Sequence, residues 1–216
     1  MSTLAWYDDP MRRYRRNGAP IGFQKPYVVL PGNPPQVWEV DGCKDWEEVK
    51  EAVAAEKNSG RFGRSTEKLI VVMPRSNMVG AYMSRASLRF ANMNEAKLGV
   101  SSLEGADLYA ASLISAKMEN ALLNGVNLEK ANMSGANLRE SDLTAANLSF
   151  AIASYVDFSG ADIRGANLTG ARINGAEWHG TLVSNGTRID LGELYQRGWR
   201  VVNSKLERIV LPRSHL

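Results

Sequence analysis

Few residues in this 216-residue chain have the type and spacing to do chemistry. A single cysteine, Cys43, cannot form an internal disulfide, and with only His179 and His215 beside it there is no zinc-ligand spacing. The segment Gly60-Arg61-Phe62-Gly63-Arg64-Ser65 is glycine-rich and basic and could hold an anion, but it reads better as a helix-to-strand connection. No phosphate-binding loop, dinucleotide fingerprint, nucleophile elbow or metal cluster is present, so no cofactor is expected and the chain does not read as an enzyme. His179 follows a bulky Trp178 at an outward position and reads as a solvated side chain.

Binding chemistry is better represented. Arg12, Arg13, Arg15 and Arg16 surround Tyr14 in a short basic arm that could contact phosphates or an acidic protein surface. Asp107, Asn127, Asn147 and Asn167 recur every twenty residues and suit hydrogen bonding of turn backbone rather than catalysis. Large apolar residues stand at positions where a repeating pattern points them outward: Phe90, Tyr109, Ile114, Phe150, Ile152 and Tyr155. Exposed aromatics on a repetitive surface bury nothing unless something meets them, so these six outline a candidate interface for a protein partner or for self-association.

The pattern that positions them repeats every five residues from Ala81 to Val183. A bulky apolar residue stands at Met83, Leu88, Met93 and so on in step to Trp178 and Val183, with the small Ala153 as a departure. Two residues earlier comes alanine, except at Ser101, Val126, Ser141, Val156 and Thr181. A period of five fits neither an amphipathic helix nor a half-buried strand. It does fit a chain that turns a corner every five residues and points one large and one small side chain inward.

Units such as Ala136-Asn137-Leu138-Arg139-Glu140 and Ala106-Asp107-Leu108-Tyr109-Ala110 resemble the A(D/N)LXX motif of pentapeptide-repeat proteins. The resemblance implies a mainly β fold, a right-handed quadrilateral β-helix with four units per coil and about five coils, stacked at the ~4.8 Å strand spacing. It also implies an alternative function, because some family members mimic duplex DNA and bind type II topoisomerases such as gyrase. That mechanism needs a strongly negative rod, whereas residues 81–183 hold eight basic and ten acidic side chains.

The flanks read as added elements. Residues 1–26 form the basic arm and 27–80 a small α/β capping domain, with strands at Tyr27–Leu30, Gln36–Val40 and Leu69–Met73 and a helix from Asp45 to about Lys57. Residues 184–216 are expected to cap the other end with a short helix carrying Leu191, Leu194 and Tyr195, then a hairpin around Asn203-Ser204. With no apolar run near eighteen residues and no secretory pattern at Met1–Asp9, the expectation is a cytoplasmic protein, or a component of an intracellularly assembled particle such as a virion, without a membrane segment. Nucleic acid enters only through the basic arm.

Overall fold

The computed structural model describes residues 27–30, 36–39 and 70–208, with side chains from residue 71 onward. The basic arm, the helix expected over 45–57 and the last residues of the expected hairpin lie outside the described residues.

The five-residue unit closes a turn. Except at Val156, the N–H of the small residue donates to the carbonyl of the bulky residue three positions earlier, as from Ala91 to Leu88 at 3.1 Å and Ala136 to Met133 at 2.8 Å. The residue just before the small one has a positive φ at every fifth position from Arg75 to Gly180. Glycine occupies some of these corners, but thirteen carry a side chain, including Phe90, Val100, Phe150 and Tyr155. Such a conformation costs an L-residue about 1 kcal/mol, and it persists where the surroundings over-determine it. Here they do: the N–H of each of these thirteen corners donates to a carbonyl in the next coil, as from Phe150 to Thr169 at 2.9 Å and Tyr155 to Asn174 at 2.8 Å.

Parallel bridges join residues twenty apart, from Val72 with Asn92 through Asp162 with Leu182, so four units complete one coil. We call the four sides faces A to D in chain order. Face A carries Asn92, Ser112, Asn132, Ile152 and Arg172; face B carries Lys97, Lys117, Asn137, Asp157 and Glu177. Face C carries Tyr82, Ser102, Leu122, Asp142, Asp162 and Leu182, and face D carries Ser87 and the column of Asp107, Asn127, Asn147 and Asn167.

The bulky residues fill the axis, and those from Leu98 to Ile163 are fully buried. Phe158 and Trp178, one coil apart, stack with ring centroids 4.5 Å apart and planes 9° from parallel. Ala153, the small departure from the bulky rule, lies in the same coil as Phe158, where a larger residue would compete for the same cross-section. The serines that replace alanine are also accounted for. Ser76, Ser101 and Ser141 turn inward and donate to the carbonyls of Met73, Leu98 and Leu138 at 2.6–2.8 Å, so no buried hydroxyl is left unpaired.

The coil geometry extends past the 81–183 span at both ends. It begins at Met73 and Met78, both buried, with Arg75 and Gly80 already at positive-φ corners. At the far end Asn167 pairs with Arg188, an offset of twenty-one. One extra residue between Leu182 and Arg188 thus shifts the register, and Ile189 packs against the core in the place of the next bulky residue.

Short elements join opposite faces. The strands β1 (Tyr27–Leu30), β2 (Gln36–Glu39) and β3 (Ile70–Val72) form an antiparallel sheet in the order β2-β1-β3. Val72 pairs with Tyr27 on one side and Asn92 on the other, so this sheet continues face A. At the other end β4 (Thr181–Leu182) belongs to face C and pairs with β6 (Lys205–Arg208), which pairs with β5 (Trp199–Val202). The β5–β6 turn has both Asn203 and Ser204 at positive φ, as a tight two-residue hairpin requires. Helix α1 (Leu191–Gln196) starts at Asp190, whose carboxylate accepts the Glu193 N–H at 2.9 Å. Of its apolar residues only Leu194 is buried; Leu191 and Tyr195 face solvent.

Candidate protein-binding surface

Polar residues at the middle of each side do structural work. The side-chain oxygens of Asp107, Asn127, Asn147 and Asn167 each accept the backbone N–H two residues on, at 3.1–3.2 Å. Their amides also form a ladder along face D: Asn127 donates to Asp107 at 3.0 Å, Asn147 to Asn127 at 3.2 Å and Asn167 to Asn147 at 3.4 Å. Arg89 completes it by donating to the second oxygen of Asp107 at 2.9 Å. Partial burial pushes the Asp107 carboxyl up, but Arg89, the Tyr109 N–H and Asn127 together hold it below its ordinary value.

The six outward apolar candidates divide into groups. Phe90 and Tyr109 meet edge to face at 5.7 Å at the corner between faces D and A. They are dressed with charge: the Arg89 guanidinium lies 4.3 Å from the Tyr109 ring centre, and Lys130 donates to the Tyr109 hydroxyl at 2.9 Å. Both rings are half-buried. Phe150 shares the corner column of Phe90 but stands sixty residues later, three coils or roughly 14 Å along the axis.

Phe150, Ile152 and Tyr155 come together around face A in a single coil. Phe150 stands at one edge, 58% exposed, Tyr155 at the other, 74% exposed, and the half-buried Ile152 lies between them. Both rings rest on glycine one coil on. A Cβ added at Gly170 would lie 2.7 Å from Phe150 Cδ1, and one at Gly175 would lie 2.5 Å from Tyr155 Cδ1. Each ring therefore lies close against a glycine that has no side chain to displace it, while much of its surface is open to solvent. Ile114, exposed, lies next to the Tyr155 corner column but two coils earlier. The four arginines of the arm lie outside the described residues.

A second exposed apolar group was missed by the sequence reading. Tyr82, 75% exposed, and Leu122 stand on face C, with Val79 and Val100 at the adjoining corner with face B. Tyr82 and Leu122 hold the same position in their units as Ile152, so the signal was present in the register.

With this geometry in view, the sequence matches the family described as pentapeptide repeats, in eight copies covering residues 75–105, 101–140 and 141–177. Residues 75–177 are therefore a pentapeptide-repeat array, wound here as a coil of four units per turn. Similar solved structures include a pentapeptide repeat protein from the cyanobacterium Cyanothece 51142, 29% identical, covering 46% of this chain and 64% of that one, with a TM-score of 0.28. HetL, involved in heterocyst differentiation regulation in Nostoc sp. strain PCC 7120, is 26% identical over 55% of this chain and 66% of its own, with a TM-score of 0.27. The match to each of these two spans a little less than two thirds of its length. QnrB1, a plasmid-mediated fluoroquinolone resistance protein, is 16% identical over 59% of this chain and 81% of its own, with a TM-score of 0.25. No curated protein matches the chain. Among the described residues no helix is long and apolar enough to cross a membrane, and no group of three or more His, Cys, Asp or Glu could hold a metal ion.

Proposed function

We propose that the protein is a non-enzymatic scaffold that binds a protein partner, or a second copy of itself, through the edge of face A formed by Phe150, Ile152 and Tyr155. The observation that carries this reading is the seating of two exposed aromatic rings on Gly170 and Gly175. A ring fixed on backbone has little rotamer freedom left to lose on association, so its open face is preorganised for contact. The recurrent Asn and Asp side chains, by contrast, are engaged in turn and ladder hydrogen bonds. The terminal elements on faces A and C serve as caps, and Leu194, Trp199 and Leu206 share the buried cluster of the coil. Function inside a cell, as part of a larger assembly, is consistent with this design.

The test is the pair of substitutions Phe150→Ser and Tyr155→Ser. Far-UV circular dichroism should be unchanged while partner pull-down or the mass by light scattering falls. Unchanged association by both measures removes the reading. The topoisomerase-binding alternative requires a negative rod, and stacked Lys97 and Lys117 on face B work against it. Inhibition or protection of purified gyrase in a supercoiling assay would favour that alternative.

A further inference from the structure

The two exposed apolar groups lie on opposite faces and toward opposite ends of the coil. Phe150, Ile152 and Tyr155 border face A late in the array; Val79, Tyr82, Val100 and Leu122 border face C early in it. Both faces are rows of parallel strands, and the hairpins that continue them lie at the other end in each case: β1–β2 at the start of face A, β5–β6 at the end of face C. Each apolar group is thus left uncovered by the described elements of its own face.

Resting on the reading of face A above, we propose that its partner is a second copy of this chain, docked through face C. The two axes run parallel and the second copy is displaced along the first by about two and a half coils, roughly 12 Å. In this register Ile152 lies over the small Ser102 between Tyr82 and Leu122, Tyr155 lies beside Val100, and Phe150 lies over Gly105. The charges agree with it. Arg172, the cation on face A one coil beyond Ile152, comes level with Leu122, one coil short of Asp142 and within reach of its carboxylate. Face B of both copies lies on the same side of the seam, bringing Asp157 of one copy midway between the levels of Lys97 and Lys117 of the other, and Glu177 midway between those of Lys117 and Asn137. Asp157 already accepts from Arg139 at 3.2 Å, so Glu177 is the principal acidic partner. Because the two docking faces differ, the contact is heterologous and can propagate.

Mixing two disabled chains tests this. Full-length protein with Ile152→Ser and Tyr155→Ser lacks the face A group, and protein with Tyr82→Ser and Leu122→Ser lacks the face C group. In sedimentation velocity the unsubstituted chain should gain mass with concentration, and each variant should show a dissociation constant weakened about tenfold or more. An equimolar mixture of the two should form a one-to-one heterodimer, because one intact face C meets one intact face A. Glu177→Lys should weaken association, and Lys117→Glu in the facing chain should restore it. Circular dichroism establishes that each variant is folded. A mixture that stays monomeric overturns the proposal, as does an unsubstituted chain that is monomeric at every concentration. If in that last case Phe150→Ser and Tyr155→Ser still weaken capture of a different protein, the scaffold reading survives and only the second copy is lost.

Discussion

The seating of Tyr155 on Gly175 makes a quantitative prediction, with a control within the same fold. Gly125 and Gly175 are both corner residues with φ of 65° and 68°, but nothing lies within 4 Å of a Cβ built at Gly125, whereas one built at Gly175 meets the Tyr155 ring at 2.5 Å. Gly125→Ala should therefore cost only the left-handed backbone conformation, about 1–2 kcal/mol. Gly175→Ala should cost that and also displace the ring. One face of a tyrosine ring is on the order of 40 Å² of apolar surface, so losing its seat adds about 1 kcal/mol. In a Tyr155→Ser background there is no ring to displace, and the cost of Gly175→Ala should fall back to that of Gly125→Ala. The coupling of about 1 kcal/mol is readable by a double-mutant cycle. Urea unfolding followed by circular dichroism supplies the four stabilities, compared only where the m-values agree. Equal costs at Gly125 and Gly175, or a Gly175→Ala cost that persists without the ring, would refute the reasoning.

Truncating a fully buried plug, Leu138→Ala, should lower stability by about 2–5 kcal/mol, seen as a lower melting temperature, because the axis is too closely packed to collapse around the void. Ser141→Ala should be nearly neutral, within about 1 kcal/mol, since it removes a buried hydroxyl while the Leu138 carbonyl keeps the Ser141 N–H at 3.2 Å. Asn147→Leu should cost about 1–2 kcal/mol, because it leaves the Ser149 N–H and two ladder positions without their partner. Asp107, Asp157 and Asp162 all have lowered carboxyl pKa values, so the stability they contribute is complete above the unfolded value of about 4 and is lost as pH falls through the folded values. Urea midpoints should therefore drop between pH 5 and pH 2. Asp107→Asn should flatten that fall, and an equally steep fall in the variant would count against the ladder.

How far the fold was legible depended on which side chains carried the pattern. The coil announced itself through alanine and leucine in fixed phase, and the period of twenty assigned faces without any coordinates. Its first units were hidden because Ser76 replaces alanine between Met73 and Met78, although Ser76 bonds inward just as Ser101 and Ser141 do. Its last was hidden by the extra residue before Arg188, which takes Ile189 out of phase. The site was harder to read because a corner side chain takes its direction from the coil below. Phe90 and Phe150 share one column, yet Gly170 leaves room for the Phe150 ring to lie over it, while Phe90 packs edge to face on Tyr109. The face C group was within reach, since Tyr82 and Leu122 break the polar rule in the same way as Ile152.

The twenty-residue return of the bridges restricts how such a gene can change length. Losing or duplicating one pentad would leave the turn and the plug intact, but would rotate everything downstream by a quarter revolution. Tyr155 would then look out over a different quadrant, and the closing hairpin, still paired with its own strand at Thr181–Leu182, would stand a quarter turn round from the opening sheet. Only gains or losses of whole twenties keep both ends facing as they do, so this array should tolerate edits in steps of four pentads and reject those in between.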